Sequence, residues 1–160
     1  MRCLPGGLWR IPGSRNILGR RKNMSSKGMK LMITQPGLDM HPQGAKLLVR
    51  LLREAGFEVL YRCRRQTVAE IVDMAIRENI NLLGLSCSSG AHRHFLAAIA
   101  KGLKENGAGN TKIFIFGGGA LPPGDFEYLY SQGVKAIFLP SGSSLTPVLD
   151  WVQGEAAPQV

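Results

Sequence analysis

The chain has no C-x-x-C pair, no G-x-x-x-x-G-K-[ST] loop, no G-x-G-x-x-G after its first apolar run, and no apolar stretch long enough to cross a bilayer. Each gap removes a class of function. The cysteines Cys3, Cys63 and Cys87 are odd in number and widely spaced, so neither a disulfide framework nor a zinc site is supported, and a reducing compartment suits them. The phosphate loop of a nucleotide hydrolase is missing, and the run Gly117, Gly118, Gly119 follows the fourth apolar segment rather than the first, which argues against a dinucleotide fingerprint. A membrane span needs roughly 20 consecutive apolar residues and an export signal needs an apolar core, and the chain has neither.

Acid is also missing, but only from one region. Residues 1–30 carry eight Lys or Arg and no Asp or Glu, which leaves twelve bases against eleven acids beyond them, although the whole chain is formally +9. The body is therefore nearly neutral. Binding to nucleic acid draws on clustered surplus charge, so a basic groove on the folded part is not expected. Residues 1–28 mix Gly, Pro, Ser and Arg and read as a basic, unfolded tail. The tail is expected to be either sequence upstream of a true start at Met24 or Met29, or a transit segment addressed to the mitochondrial matrix. The default compartment is the cytoplasm.

What is present is an ordinary globular composition, with 44% hydrophobic and 19% charged residues in a chain of 160, enough for one domain with a core. Residues 29–154 are expected to form it, with 155–160 frayed. Short apolar runs alternate with amphipathic stretches, the pattern of βα units around a parallel sheet. Strands are expected at Met29–Thr34, Phe57–Tyr61, Asn81–Ser86, Lys112–Phe116 and Ala136–Leu139. The helices expected between and after them cover Gly44–Ala55, the segment from Thr67 to Asn79, Ala91–Glu105, Phe126–Tyr130 and Ser143–Val152. Gly56 suits a helix stop, Thr67 with Glu70 makes a capping box, and Ser143 or Ser144 suits the last cap. The expected fold class is α/β: a doubly wound, flavodoxin-like (Rossmann-like) sheet of five parallel strands, with its ligand site outside their carboxyl ends.

Three loops at those ends stand out: PGLDMHPQG at 36–44, SCSSGAH at 86–92 and GGGALP at 117–122. They follow strands one, three and four, which this topology makes neighbours, and their small residues leave a slot for a flat or elongated ligand. Asp39 and His41 stand at its mouth, spaced so that a carboxylate can fix one imidazole nitrogen while the other faces a metal. The spacing equally fits a surface histidine with Asp39 as a helix cap. His92 and His94 lack a nearby acid in sequence and read as a solvated helix start, with His92 able to face a ligand. Cys87 reads as packing, and Arg62, Arg64 and Arg65 read as an exposed turn or a partner-docking patch.

The order of these motifs resembles the cobalamin-binding domain family, closest to its methylmalonyl-CoA mutase branch. Asp39-Met40-His41-Pro42-Gln43-Gly44 matches D-x-H-x-x-G, and GLSCSSGAH and IFGGGALPPGDF follow in family order, so the likeness covers residues 29–153. The resemblance implies that His41 is the lower axial ligand of cobalt, with Asp39 behind it, and that Gly44, Ser86, Ser88, Gly117, Gly118 and Gly119 line the slot for the displaced nucleotide tail. It implies adenosylcobalamin as cofactor and a carbon-skeleton rearrangement of an acyl-CoA, with a large (β/α)₈ barrel partner holding the substrate. A non-catalytic cobalamin carrier, a sensor or a methyl-transfer corrinoid protein is the alternative, although the methyl-transfer proteins' helical cap finds no counterpart in residues 1–28. Three positions depart from the mutase pattern: Gln35 replaces a lysine and brings no charge, Ser88 replaces a packing leucine, and Met40 replaces a glycine.

Overall fold

The computed structural model describes residues 28–36, 42–62, 66–86, 92–117, 121–139 and 145–156. Its strands are β1 (Lys30–Thr34), β2 (Glu58–Tyr61), β3 (Leu82–Ser86), β4 (Lys112–Phe116) and β5 (Val134–Phe138). The helices are α1 (Pro42–Glu54), α2 (Val68–Arg77), α3 (His92–Glu105), α4 (Phe126–Ser131) and α5 (Thr146–Ala156), with a 3₁₀ turn at Pro123–Asp125. All strands are parallel, in the order β2-β1-β3-β4-β5. This is the doubly wound α/β sheet expected from the apolar pattern.

Alternation along each strand builds two cores. Met32, Leu83, Leu85, Ile113 and Ile115 meet α2, α3 and α4 through Ile71, Val72, Leu96, Ile99, Leu103 and Leu129. Leu31, Ile33, Leu82, Phe114 and Phe116 meet α1 and α5 on the other face through Ala45, Leu48, Val49, Leu52, Val148 and Val152. Successive residues of a strand point to opposite faces, so apolar residues without interruption imply a sheet covered on both sides. Gly84 interrupts β3 because a Cβ there would stand 2.5 Å from Cζ of Phe114 and 2.6 Å from Cδ1 of Ile33.

Several boundaries differ from the sequence expectation, each for a local reason. Helix α1 begins at Pro42 rather than Gly44, since proline's fixed φ and missing N–H suit a first helical position. Strand β5 starts at Val134 rather than Ala136 and ends at Phe138; Gly133, at φ +97°, turns the chain into it, and Lys135 points outward from this edge strand. Helix α5 spans Thr146–Ala156 instead of stopping at Val152, and Glu155 in its last turn pairs with Lys112 of β4. The Thr67–Glu70 capping box forms as expected, and α2 gives way at Asn79, φ +51°. The N-terminal tail, Ser143 and Ser144 lie outside the described residues.

Candidate functional site

β1 leads to β2 on one side and β3 leads to β4 on the other, so the connections diverge between β1 and β3. Open parallel sheets bind ligands outside the carboxyl ends of their strands at such a switch point. Here the two strands end at Thr34 and Ser86.

The burial of polar groups marks the same edge. Among the described residues the buried polar or charged side chains are Thr34, Gln35, Ser86 and His92, and all four lie at the carboxyl end of β1 or β3 or at the start of α3. Buried polar groups cost free energy unless they are hydrogen-bonded, so their concentration at one edge of an otherwise apolar sheet is a feature of a site rather than of a core. Thr34 Oγ1 donates to Gln66 Oε1 at 2.5 Å, and Pro36 bridges Gln66, which carries β1 beyond its last strand residue. Sequence reasoning missed Thr34, whose last-in-strand position beside Gln35 is the one signal that points to it.

Gly117 directly follows β4 with φ +70°, a conformation that side chains rarely adopt, and a Cβ there would lie 3.7 Å from Ser86 Oγ. Gly44 stands in the first turn of α1, exposed, with nothing within 4 Å of where its Cβ would be. Ser86 pairs in register with Phe116, so Ser86 and Gly117 meet at one point of the edge. The expected Gln35, Gly44, Ser86 and Gly117 thus occur along the carboxyl edge of β1, β3 and β4. Asp39, His41, Ser88, Gly118 and Gly119 lie outside the described residues; in the chain His41 immediately precedes Pro42, the first residue of α1, and Ser88 follows Ser86 by two.

Two sequence expectations are corrected. His92 is not a solvated helix start: it is 3% exposed, and its Nε2 lies 2.7 Å from Oδ2 of Asp125, a carboxylate 33 residues away that no spacing rule could connect to it. Arg62 is not an exposed turn either, since its guanidinium is partly buried and reaches Met74 Sδ at 3.4 Å. Arg64, Arg65, Cys63 and Cys87 lie outside the described residues, and His94 is exposed, edge-on to Phe95.

Comparison with known proteins adds to this geometry. A family model described as "B12 binding domain" matches residues 29–149. The chain belongs to the B12-binding domain family. This B12-binding domain is 34% identical over 116 residues to the 2-hydroxyisobutanoyl-CoA mutase small subunit of Aquincola tertiaricarbonis, covering 72% of the chain and 84% of that protein. It is 33% identical over 129 residues to methylmalonyl-CoA mutase of Rhizobium meliloti, covering 79% of the chain but 18% of that enzyme. The chain therefore spans less than a fifth of the full mutase and most of the small subunit. Among solved structures it resembles a cobalamin-binding protein from Desulfitobacterium hafniense, with TM-score 0.66 and 21% identity over 81% of the chain and 59% of that protein. It also resembles the Vibrio cholerae chemotaxis protein CheY4, with TM-score 0.58 and 12% identity over 79% of the chain and 97% of that protein. The second likeness shows that the flavodoxin-like sheet alone does not specify a ligand.

The described residues fit a corrinoid with an extended tail. A buried polar edge at the switch point, a glycine in the left-handed region beside a serine hydroxyl, and open space at Gly44 give hydrogen-bonding groups and clearance together. On the α1–α5 face those two helices make few direct contacts with each other, whereas α2 and α3 pack closely on the opposite face. Gly84 and Ser86, two apart in β3, belong to the α1–α5 face by strand alternation.

Proposed function

We propose that this domain is the adenosylcobalamin-binding small subunit of an acyl-CoA mutase, inactive alone and completed by a large (β/α)₈ barrel subunit that holds the substrate. The observation that carries the reading is the buried polar edge at the β1–β3 switch point, in a chain that spans most of a mutase small subunit. Bound adenosylcobalamin would supply a carbon radical for a carbon-skeleton rearrangement, chemistry that belongs to the cofactor. The chain's own residues bind and orient. His41 would give one imidazole nitrogen to cobalt and Asp39 would accept a hydrogen bond from the other, an arrangement that fixes the tautomer and raises donor basicity. Ser86 and Ser88 offer hydroxyls to the nucleotide tail, and Gly44, Gly117, Gly118 and Gly119 let backbone approach it without a side chain between. Gln35, buried at the end of β1, brings hydrogen-bonding capacity without charge.

Residues 29–154 are proposed as the working domain, preceded by the basic tail 1–28, in a cytoplasmic enzyme. No described helix is long and apolar enough to cross a membrane. The methyl-transfer alternative draws support from one likeness of fold, to the methanol:cobalamin methyltransferase complex of Methanosarcina barkeri at 18% identity and TM-score 0.59. The test is reconstitution. Chain and adenosylcobalamin should form a stable complex with no turnover, and a barrel subunit that lacks its own cobalamin domain should gain acyl-CoA isomerase activity when that complex is added. A complex that instead exchanges methyl groups with a small donor and never associates with a barrel subunit overturns the mutase reading.

A further inference from the structure

The pairing of His92 with Asp125 is not used by the cofactor contacts above. His92 is the first residue of α3, directly after the loop 87–91, and Asp125 is the last residue before α4, after the glycine-bearing loop 118–120. Their hydrogen bond, 2.7 Å long and largely buried, ties together the far ends of two loops proposed to line the slot. The carboxylate accepts and the imidazole Nε2–H donates.

Asp125 closes the 3₁₀ turn and enters α4 with a helical backbone, φ −90° and ψ −12°, and its side chain makes no capping bond to that helix. It is turned instead toward α3, whose first turn carries no acid of its own, and supplies negative charge at that helix's positive end. Arg93 Nη1 approaches the second carboxylate oxygen at 3.6 Å while its guanidinium stacks 4.4 Å over the Tyr128 ring. The 3₁₀ turn that presents Asp125 is closed by Asp125 N–H to Pro122 O at 2.9 Å, and Leu121 beside it is buried in the core.

We propose that His92 and Asp125 are positioning residues: a latch, steadied by Arg93 and Tyr128, that sets the separation of the β3–α3 and β4–α4 loops and thereby the affinity for cobalamin. The latch rests on the proposed cofactor site, so its test has one arm that uses cobalamin and one that does not. His92→Ala, Asp125→Asn and the double variant are compared with wild type and with Leu103→Ala, a truncation of a buried side chain at the far end of α3.

In the first arm, cobalamin is titrated by absorbance at a temperature where every variant is folded. Each latch variant should weaken binding about tenfold or more, the double variant should be no weaker than the worse single one, and Leu103→Ala should bind within twofold of wild type. In the second arm, amide exchange of the free protein should rise in segments 87–91 and 118–120 together in either latch variant, with β3 and β4 unchanged. If His92→Ala fails to fold, Asp125→Asn carries both arms. Latch variants that bind within twofold of wild type overturn the proposal, as does exchange that rises in one loop alone or in neither. A wild-type chain that binds no cobalamin defeats the cofactor reading, and the exchange arm then decides the latch.

Discussion

Replacing Gly84 by alanine puts one methyl group into the most crowded point of the sheet. The added Cβ would stand 2.5 Å from Phe114 Cζ, 2.9 Å from Phe114 Cε2 and 2.6 Å from Ile33 Cδ1, all well inside ordinary contact. Relief would need the Phe114 ring to retreat. That ring is fully buried, with the Trp151 ring centroid at 5.4 Å, Phe116 at 6.0 Å and Phe138 at 6.4 Å, so it has nowhere to go without shifting α5. Overpacking of a filled core costs roughly 1–3 kcal/mol. Alanine recovers about 0.4–1 kcal/mol through the lower entropy of the unfolded chain. The net expectation is a loss of about 1.3 kcal/mol at the middle of both ranges, and for a domain of this size the melting midpoint should fall by roughly 3–10 °C. Thermal unfolding followed by far-ultraviolet circular dichroism reads this directly. A Gly84→Ala protein that melts at or above the wild-type temperature refutes the packing argument, because it would mean that the Phe114 ring does not lie against β3.

Three further outcomes follow from the same geometry. Gly44→Ala, with open space around its Cβ, should stabilise the free protein by about 0.5–1 kcal/mol in urea unfolding while weakening cobalamin binding, opposite signs that a purely structural glycine would not give. Thr67→Ala removes the side chain that accepts from Glu70 N–H and should cost about 1 kcal/mol, read from the shift in urea midpoint. The Thr67 backbone and hydroxyl bonds hold the Glu70 carboxyl below its ordinary value of 4.5, so its stabilising contribution is complete above that pH and is lost as pH falls through the lowered value. The stability difference between wild type and Glu70→Gln should therefore be constant near neutrality and close in acid; a difference that widens in acid contradicts the sign.

The sheet was legible because its strands are short, apolar and separated by turn residues: Lys112–Phe116 reads as a strand from KIFIF alone, and the glycine at 117 ends it. The capping box at Thr67 was legible because both partners lie within one helical turn. What stayed hidden depends on distance. The exposed Lys135 masked the first half of β5, since an edge strand needs less apolar sequence than a central one. The extra turn of α5 is held partly by Glu155 reaching Lys112, a contact between residues 43 apart in the chain. His92 looked solvated for the same reason, because its acid is brought to it by the packing of α4 beside α3 rather than by sequence. The small and polar residues of the strand-end loops were readable as a slot, whereas the buried positions of Thr34 and Gln35 emerged when β1 was set between β2 and β3.

The central proposal is that His41 would ligate the cobalt of a bound cobalamin, and paramagnetic resonance of the chain loaded with the cobalt(II) form of cobalamin tests it most directly. One axial nitrogen splits each cobalt line into a triplet, and protein grown on histidine with heavy nitrogen should turn those triplets into doublets, while His41→Ala should lose the histidine signal. Triplets that persist in the labelled protein, with the cofactor's own nucleotide base still on the metal, would contradict the account.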